Sequence, residues 1–485
     1  MAKDSKDSMI SNEEFRKFGH EFVDWLADYY KNIEKYPVKS QVKPGEIKEK
    51  LPLNPPEKGE GMDVIFKDFE KIIMPGITHW QHPSFFAYFN ANSSYPSLLA
   101  EMLTAGLGVN SMLWETSPAA TELEERVMVW LRDMIGLPKD FKGVIQDTAS
   151  TSSLCALICA REKATGLRIN EKGFQSHQKL RVYVSDQAHS SIEKGAKIAG
   201  YGRENIVVIP SDDEFRMKPE SLANALKEDI GRQLTPACVV ATVGTTSSTS
   251  IDPLPQIAEI CANFRTWLHV DAAHAGTAAI LPEKRHILKG VERAYSFVFN
   301  PHKWLLTNFD CSAYFVRDAE FLQNTFSIQP EYLKTKADRE VINYRDWGIQ
   351  LGRRFRALKL WFVIRNYGVE GLQNIVRNHI EWAGKFAKWV DESKNFERLA
   401  PVTVNLVCFR FNPFKGKSEP DEAKLEELNK KLMDELNSGG KMYLTHTKLK
   451  GKFSLRLCIG QTNTEFRHVE SAWKLIRSIG DGARK

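Results

Sequence analysis

Near the start of the chain, Phe15, Phe18, Phe22, Trp25, Leu26 and Tyr29 recur at spacings that place them on one face of an α-helix. Ser11, with Glu14 three residues on, supplies a capping box for its first turn. A stripe this aromatic needs a partner surface. Residues 37–61 are rich in Pro, Lys, Glu and Gly, which predicts an extended connection, and a second amphipathic stretch follows at 64–73. These features define an N-terminal arm over residues 1–90.

Over residues 91–368 the pattern changes to short apolar runs alternating with helical stretches. Strands are predicted at 143–146, 181–185, 237–243, 267–271, 296–300 and 312–316, and helices at 151–165, 190–199 and 254–264. Ser117 and Pro118 open a further helix, and Gly136 closes it. Strands separated by helices imply an α/β domain with a mainly parallel sheet covered on both faces. Ligand-binding groups then belong at the carboxyl ends of the strands. In residues 369–485, long helices at 372–391 and 421–436 surround strands at 404–411 and 453–459, which predicts a smaller C-terminal α+β domain.

Composition adds exclusions. The chain has 485 residues, 42% hydrophobic and 26% charged, the usage of an ordinary globular protein. A net charge of +6 and short lysine runs argue against nucleic acid as a partner. Seven cysteines form no CxxC pair and fit reduced thiols, so a cytoplasmic location is expected. The first residues mix both charge signs, and no later stretch has the length of apolar sequence that a membrane span needs. Dinucleotide, P-loop, serine-hydrolase and zincin motifs are absent.

The strand ends carry the candidate chemistry. In Leu268-His269-Val270-Asp271, the two-residue period puts His269 and Asp271 on one face at the carboxyl end, where a carboxylate can hold a cationic ring. Lys303 follows the apolar run 297–299 closely, where desolvation would lower its pKa and make it a usable amine nucleophile. A lysine there can also be a snorkelling surface residue. The hydroxyl-rich turn Asp147-Thr148-Ala149-Ser150-Thr151-Ser152-Ser153 between strand and helix suits a phosphate, or simply caps the helix. Taken together, a phosphate site, an acid facing a ring nitrogen and an amine able to form a Schiff base describe the binding of pyridoxal 5'-phosphate.

The segments Asn300-Pro301-His302-Lys303-Trp304, His269-Val270-Asp271-Ala272-Ala273, Ser185-Asp186-Gln187-Ala188-His189-Ser190-Ser191 and Ser117-Pro118-Ala119-Ala120-Thr121-Glu122-Leu123-Glu124 resemble the group II pyridoxal-phosphate decarboxylases, most closely the aromatic-L-amino-acid decarboxylases. The resemblance runs along essentially the whole chain. It implies the aspartate aminotransferase-like fold (fold type I), a homodimer with the active site at its interface, and conversion of tryptophan, phenylalanine, tyrosine or dihydroxyphenylalanine to the amine and CO2. By position it implies that Lys303 carries the cofactor, Asp271 pairs with the pyridinium nitrogen and His189 stacks on the ring. Ala149, Ser150, Asn300 and His302 would lie on the phosphate side, Thr246 near the ring 3-oxygen and Ala273 against the opposite face. Tyr332, in a loop that closes over the site in the family, would help protonate the substrate carbon. Relatives with phenylalanine at that position, or asparagine in place of the histidine, look like oxygen-consuming aldehyde synthases, and this chain keeps both Tyr332 and His189. Tyr88, Phe89, Asn90, Ala91 and Gly352 would line the substrate pocket, the glycine admitting an indole.

Three positions depart from the family pattern: Asp147 stands for a common glycine, Asn90-Ala91 for Pro-Thr, and His274 for a common tyrosine. Other readings stay open at this level. His269, Asp271 and His274, with His302 nearby, could form a metal cluster, although no metal is expected. An aminotransferase could grip the substrate carboxylate with Arg456. A non-catalytic binding protein would leave Lys303 idle.

Overall fold

The computed structural model describes residues 10–175, 179–328, 340–416 and 421–482. Its central sheet has seven strands: β1 (Lys142–Gln146), β2 (Leu180–Ser185), β3 (Ile206–Ile209), β4 (Thr235–Thr242), β5 (Trp267–Asp271), β6 (Ser296–Phe299) and β7 (Ser312–Val316), in the spatial order β1-β7-β6-β5-β4-β2-β3. Neighbours from β3 through β6 are parallel. The link after β6 turns the chain back through the short helix Pro301–Trp304, so β7 runs antiparallel to both β6 and β1.

Both faces of the sheet are covered, which is why its strands read as nearly continuous apolar runs. Val239, Ala241, Leu268 and Val270 pack with the helices Pro118–Ile135 and Ala357–Glu392 on one side. Their neighbours Cys238, Val240 and Trp267 pack with Ala149–Thr165 and Ser190–Ile198 on the other. His269 and Asp271 therefore face the layer that contains the helix Ala149–Thr165.

Past the sheet, the helix Ala357–Glu392 runs across the position where a boundary is expected, and it is broken there: Gly368 has φ 65° and ψ 170°. A second sheet follows, made of β8 (Phe396–Arg398), β9 (Leu406–Phe411), β10 (Thr445–Leu449) and β11 (Lys452–Cys458), antiparallel in the order β10-β11-β9-β8. The helices Glu422–Ser438 and Phe466–Gly482 cover it. Phe86, from the N-terminal segment, is buried in this C-terminal core, and its main chain bonds to Tyr443 O (2.8 Å) and Cys458 N (3.0 Å).

The arm forms its capping box, with the Glu14 amide donating to Ser11 Oγ and the Ser11 amide to Glu14 Oε2. The helix Asn12–Lys31 nevertheless buries none of its residues, and Phe15 is 70% exposed. Phe22 and Trp25 pack on Phe66 with ring centroids 4.6 and 5.8 Å apart, which ties the two amphipathic stretches together. The helix Tyr95–Leu107 is inverted: Ser97, Ala100 and Thr104 face inward, whereas Leu99, Met102, Leu103 and Leu107 face out. Among the described residues, no helix is long and apolar enough to cross a membrane.

Candidate active site

The carboxyl ends of β4, β5 and β6 and the start of the helix Ala149–Thr165 enclose a cavity of about 240 Å³. At the end of β5, Asp271 turns one carboxylate oxygen back to accept from the Ala273 amide at 3.1 Å. The Asn300 amide, just past β6, donates to Ala273 O (2.9 Å), and the Lys303 amide donates to Asn300 O (2.9 Å). Two strand ends thus fix the main chain of the lysine beside the carboxylate. Desolvation by the cavity walls pushes the Lys303 amine below its ordinary value, while Asp271 and Cys458 oppose that shift. The amine is therefore more often unprotonated and nucleophilic than a surface lysine.

The phosphate side is built from a helix start and two side chains. Thr148 caps the helix Ala149–Thr165 with its main chain only, so the amides of the first turn have no side-chain acceptor. Asp147 accepts from the Thr148 amide at 2.6 Å, which occupies one of its oxygens. Asn300 Oδ1 and Thr242 Oγ1 are buried at the cavity without a hydrogen-bond partner. Burial, with Lys303 next in effect, pushes His302 down to about 3, and its Nδ1 accepts from the Cys311 amide at 2.9 Å. His189 caps the helix Ser190–Ile198 at the cavity mouth, Nδ1 accepting from the Ser191 amide at 3.2 Å. Partial desolvation lowers its pKa, so its ring is mainly neutral at pH 7.

One wall is aromatic. Phe89 stacks on His274 at 3.8 Å, and His274 stacks on Trp304 at 5.1 Å, with the rings within 7° and 11° of parallel. His274 Nε2 bonds to Asn405 Oδ1 at 2.8 Å, and burial pushes the ring down to about 3, so it acts as a flat neutral plate. The Lys303 amine and the Arg456 guanidinium each lie 5.4 Å from the Phe89 centroid. Arg456 spends three N–H groups on Thr246 O, Ser247 O and Thr445 Oγ1, and so pins the turn that carries Thr246. That turn leaves β4 through Gly244, where a side chain is excluded: φ is +87°, and a Cβ would meet Ala275 Cβ at 2.4 Å.

These residues fit pyridoxal phosphate: an amine for its aldehyde, a carboxylate for its ring nitrogen, and helix amides free to donate to its phosphate. The profile of the pyridoxal-dependent decarboxylase conserved domain matches residues 44–412. The chain is a member of the pyridoxal-dependent decarboxylase family. It is 47% identical over 475 residues to tryptophan decarboxylase 2 of Oryza sativa subsp. japonica, covering 96% of this chain and 94% of the relative. It is 46% identical over 478 residues to the phenylacetaldehyde synthase of Arabidopsis thaliana, covering 96% of each. The crystal structure of Oryza sativa TDC with pyridoxal phosphate and tryptamine superposes with a TM-score of 0.95 at 38% identity, covering 98% of this chain and 99% of that one. As a decarboxylase of this family, the chain is a carboxy-lyase that uses pyridoxal 5'-phosphate.

Of the positions expected from the sequence, the decarboxylase cavity brings together Lys303, Asp271, His189 and Phe89 with Ala149, Ser150, Thr246, Ala273, Asn300 and His302. It does not bring in the rest of the expected pocket. Tyr88 is 48% exposed, and its hydroxyl meets that of Tyr443 at 3.2 Å. Asn90 is buried and donates to Phe85 O, and Ala91 offers its carbonyl to Gln81. Gly352 lies on the surface, where a Cβ would meet only Asn110 Nδ2 at 3.8 Å, and its φ is not in the left-handed region. Tyr332 falls outside the described residues. Thr242, Gly244 and Phe309 line the cavity without having been singled out; the strand-end rule that exposed Asp271 applies equally to the first two. A metal reading finds no support in the histidines: His269 bonds to Ser153 and Ser296 through its two nitrogens, and no cluster of metal-ligating side chains occurs among the described residues.

Proposed function

We propose that this enzyme decarboxylates aromatic L-amino acids to their amines and CO2, acting as a cytoplasmic homodimer. The observation that carries the reading is the cavity wall: the stacked plate of Phe89 and His274 stands beside Lys303, and among the described residues lining the cavity Lys303 is the sole lysine or arginine. A flat apolar wall suits an aromatic side chain. A strong cationic grip on the carboxylate would stabilise a ground state whose charge is lost in the transition state, and here Arg456 is committed to the turn at Thr246 and Ser247.

The chemistry supplied by the cofactor when bound is an aldehyde that links to the substrate amine and a protonated ring that takes up the electron pair left by CO2. Lys303 would hold the cofactor before substrate arrives. Asp271 would keep the ring nitrogen protonated, the first turn of Ala149–Thr165 with Ser150, Asn300 and His302 would hold the phosphate, and neutral His189 would lie on the ring. Ala273 would pack against the other face, Thr246 would face the 3-oxygen, and Tyr332 would return a proton to the substrate α-carbon. A homodimer is supported by the exposed apolar side of Tyr95–Leu107 and of the arm, and a reducing compartment by seven unpaired, buried cysteines. We place the boundary between the large and small domains at the Gly368 break.

An aldehyde synthase is the second reading, favoured by the 46% identity to phenylacetaldehyde synthase. Mass spectrometry of products from a panel of L-amino acids separates the two. Amines from tryptophan, phenylalanine, tyrosine and dihydroxyphenylalanine are expected, and aldehyde with ammonia and peroxide would contradict the first reading. Tyr332→Phe should move the major product from amine to aldehyde with ammonia and peroxide; an unchanged amine yield would remove Tyr332 from proton delivery.

A further inference from the structure

The helix Pro301–Trp304 is a single turn, so most of its main-chain carbonyls have no partner within it. The carbonyls of His302 and Lys303 are both taken by one residue. Asn92, which is 1% exposed, donates its backbone N–H to His302 O at 3.0 Å and its side-chain amide to Lys303 O at 2.6 Å. The same amide nitrogen donates to Gly460 O at 2.6 Å, and Asn92 Oδ1 accepts from the Thr462 amide (2.8 Å) and hydroxyl (3.0 Å). Its side-chain amide and its own N–H are all used, and the partners come from two different parts of the fold: the lysine turn after β6, and the loop that follows β11.

The loop after β11 is in turn fastened to the N-terminal segment. Gln461 bonds to Gln81 Oε1, Asn463 to Gln81 O, and Thr464 to Pro83 O. Ser94, two residues past Asn92, donates to Leu306 O at 2.7 Å, which holds the far side of the lysine turn. The main chain of Lys303 is thus suspended between Asn300 O, from the central sheet, and Asn92, which answers to the C-terminal sheet.

We propose that Asn92 is a positioning residue for Lys303: it sets where the lysine main chain, and with it the amine, stands relative to the cofactor cradle, and it couples that position to residues 460–462. Asn92 is not among the residues that line the cavity, so its influence runs through Lys303. The proposal rests on the reading of Lys303 as the covalent anchor. It predicts that loss of Asn92 impairs covalent capture of the cofactor and spares the non-covalent cradle, which is built from other residues.

The test compares two probes on the cofactor-free protein. Pyridoxal phosphate needs the Lys303 amine for covalent capture, followed by its visible absorbance. Pyridoxamine phosphate has no aldehyde and reports the cradle alone. In Asn92→Ala, the capture rate should fall about tenfold or more, the size expected when a reacting amine is displaced from its aligned position, with pyridoxamine phosphate affinity within about twofold of the parent. Thr462→Val, which removes a single hydroxyl donor to Asn92, should slow capture by a smaller factor of about two to three, and Thr462→Ser should restore it. Equal loss with both probes, or no loss of capture, overturns the proposal. If Asn92→Ala does not fold, Thr462→Val and Thr462→Ser decide alone by the same criteria. A Lys303→Ala control separates the two ideas: covalent capture that survives it sinks the anchor assignment, whereas capture lost there and intact in the Asn92 and Thr462 variants sinks the positioning role.

Discussion

The Lys303 cavity and the outer face of the helix Tyr95–Leu107 solve their burial in opposite ways. Around the cavity, polar and aromatic side chains are packed inward. Asp271, Asn300, His302 and Trp304 are buried, and two polar atoms left without partners, Asn300 Oδ1 and Thr242 Oγ1, belong to residues that line the cavity. On the helix, the apolar side chains of Leu99, Met102, Leu103 and Leu107 are 49–63% exposed while Ser97 and Thr104 are buried. The arm repeats that pattern, with Phe15 and Val23 exposed on a helix that buries nothing. The cavity walls are therefore closely packed, whereas the flank stays apolar and exposed, the surface that the proposed homodimer would cover.

The largest effect should come from breaking the unfinished side. Burying a leucine contributes about 1.5–3 kcal/mol, and an aspartate in its place would add the cost of a buried charge. The double change Leu99→Asp and Leu103→Asp should lower the mass measured by light scattering from about twice 55.2 kDa to 55.2 kDa, with loss of turnover. A variant that stays dimeric would place the interface elsewhere, and a fully active monomer would refute the homodimer.

The finished side should show itself as acid lability. Burial pushes His269 down to about 4, and His274, His302 and His379 each down to about 3. With unfolded values near 6.5, the unfolded chain binds more protons below that pH, so stability is retained above about pH 6.5 and lost progressively as pH falls toward 4. Each group contributes a slope of about 1.4 kcal/mol per pH unit. His379→Gln keeps an acceptor for Trp304 Nε1, a 3.0 Å contact in the parent. It should flatten the pH dependence of the melting temperature by about one proton's share. An unchanged slope would mean that the histidines of this side are not what acid attacks.

The smallest effect is expected at Gly352, on the unfinished side. The fold leaves room for a hydroxymethyl group there, so Gly352→Ser should melt like the parent. If a second copy brings this position to the substrate, the tryptophan-to-tyrosine ratio of kcat/KM should fall by a factor of about ten. An unchanged ratio would assign the aromatic preference to the Phe89–His274 wall.

The same contrast explains what could be read from the amino-acid order alone. The strands 267–271 and 312–316 are found at their expected positions, because buried β-rich runs bounded by polar strand ends leave a local signal. Asp271 and Lys303 stood out for the same reason. The helix Tyr95–Leu107 escaped, since its inward face is small and polar and its outward face apolar, the reverse of the usual pattern. Strand β3 escaped as a partly exposed edge strand. The stacking of Phe89, His274 and Trp304, and the bonds of Asn92 to Lys303 and Gly460, join residues far apart in the chain, and no local spacing announces them.

The central claim is that this cavity holds pyridoxal phosphate on Lys303, and the most direct measurement is borohydride reduction of the loaded enzyme followed by peptide mapping. A pyridoxyl group is expected on the peptide that contains Asn300-Pro301-His302-Lys303, attached at Lys303. A pyridoxyl group on any other lysine would contradict it.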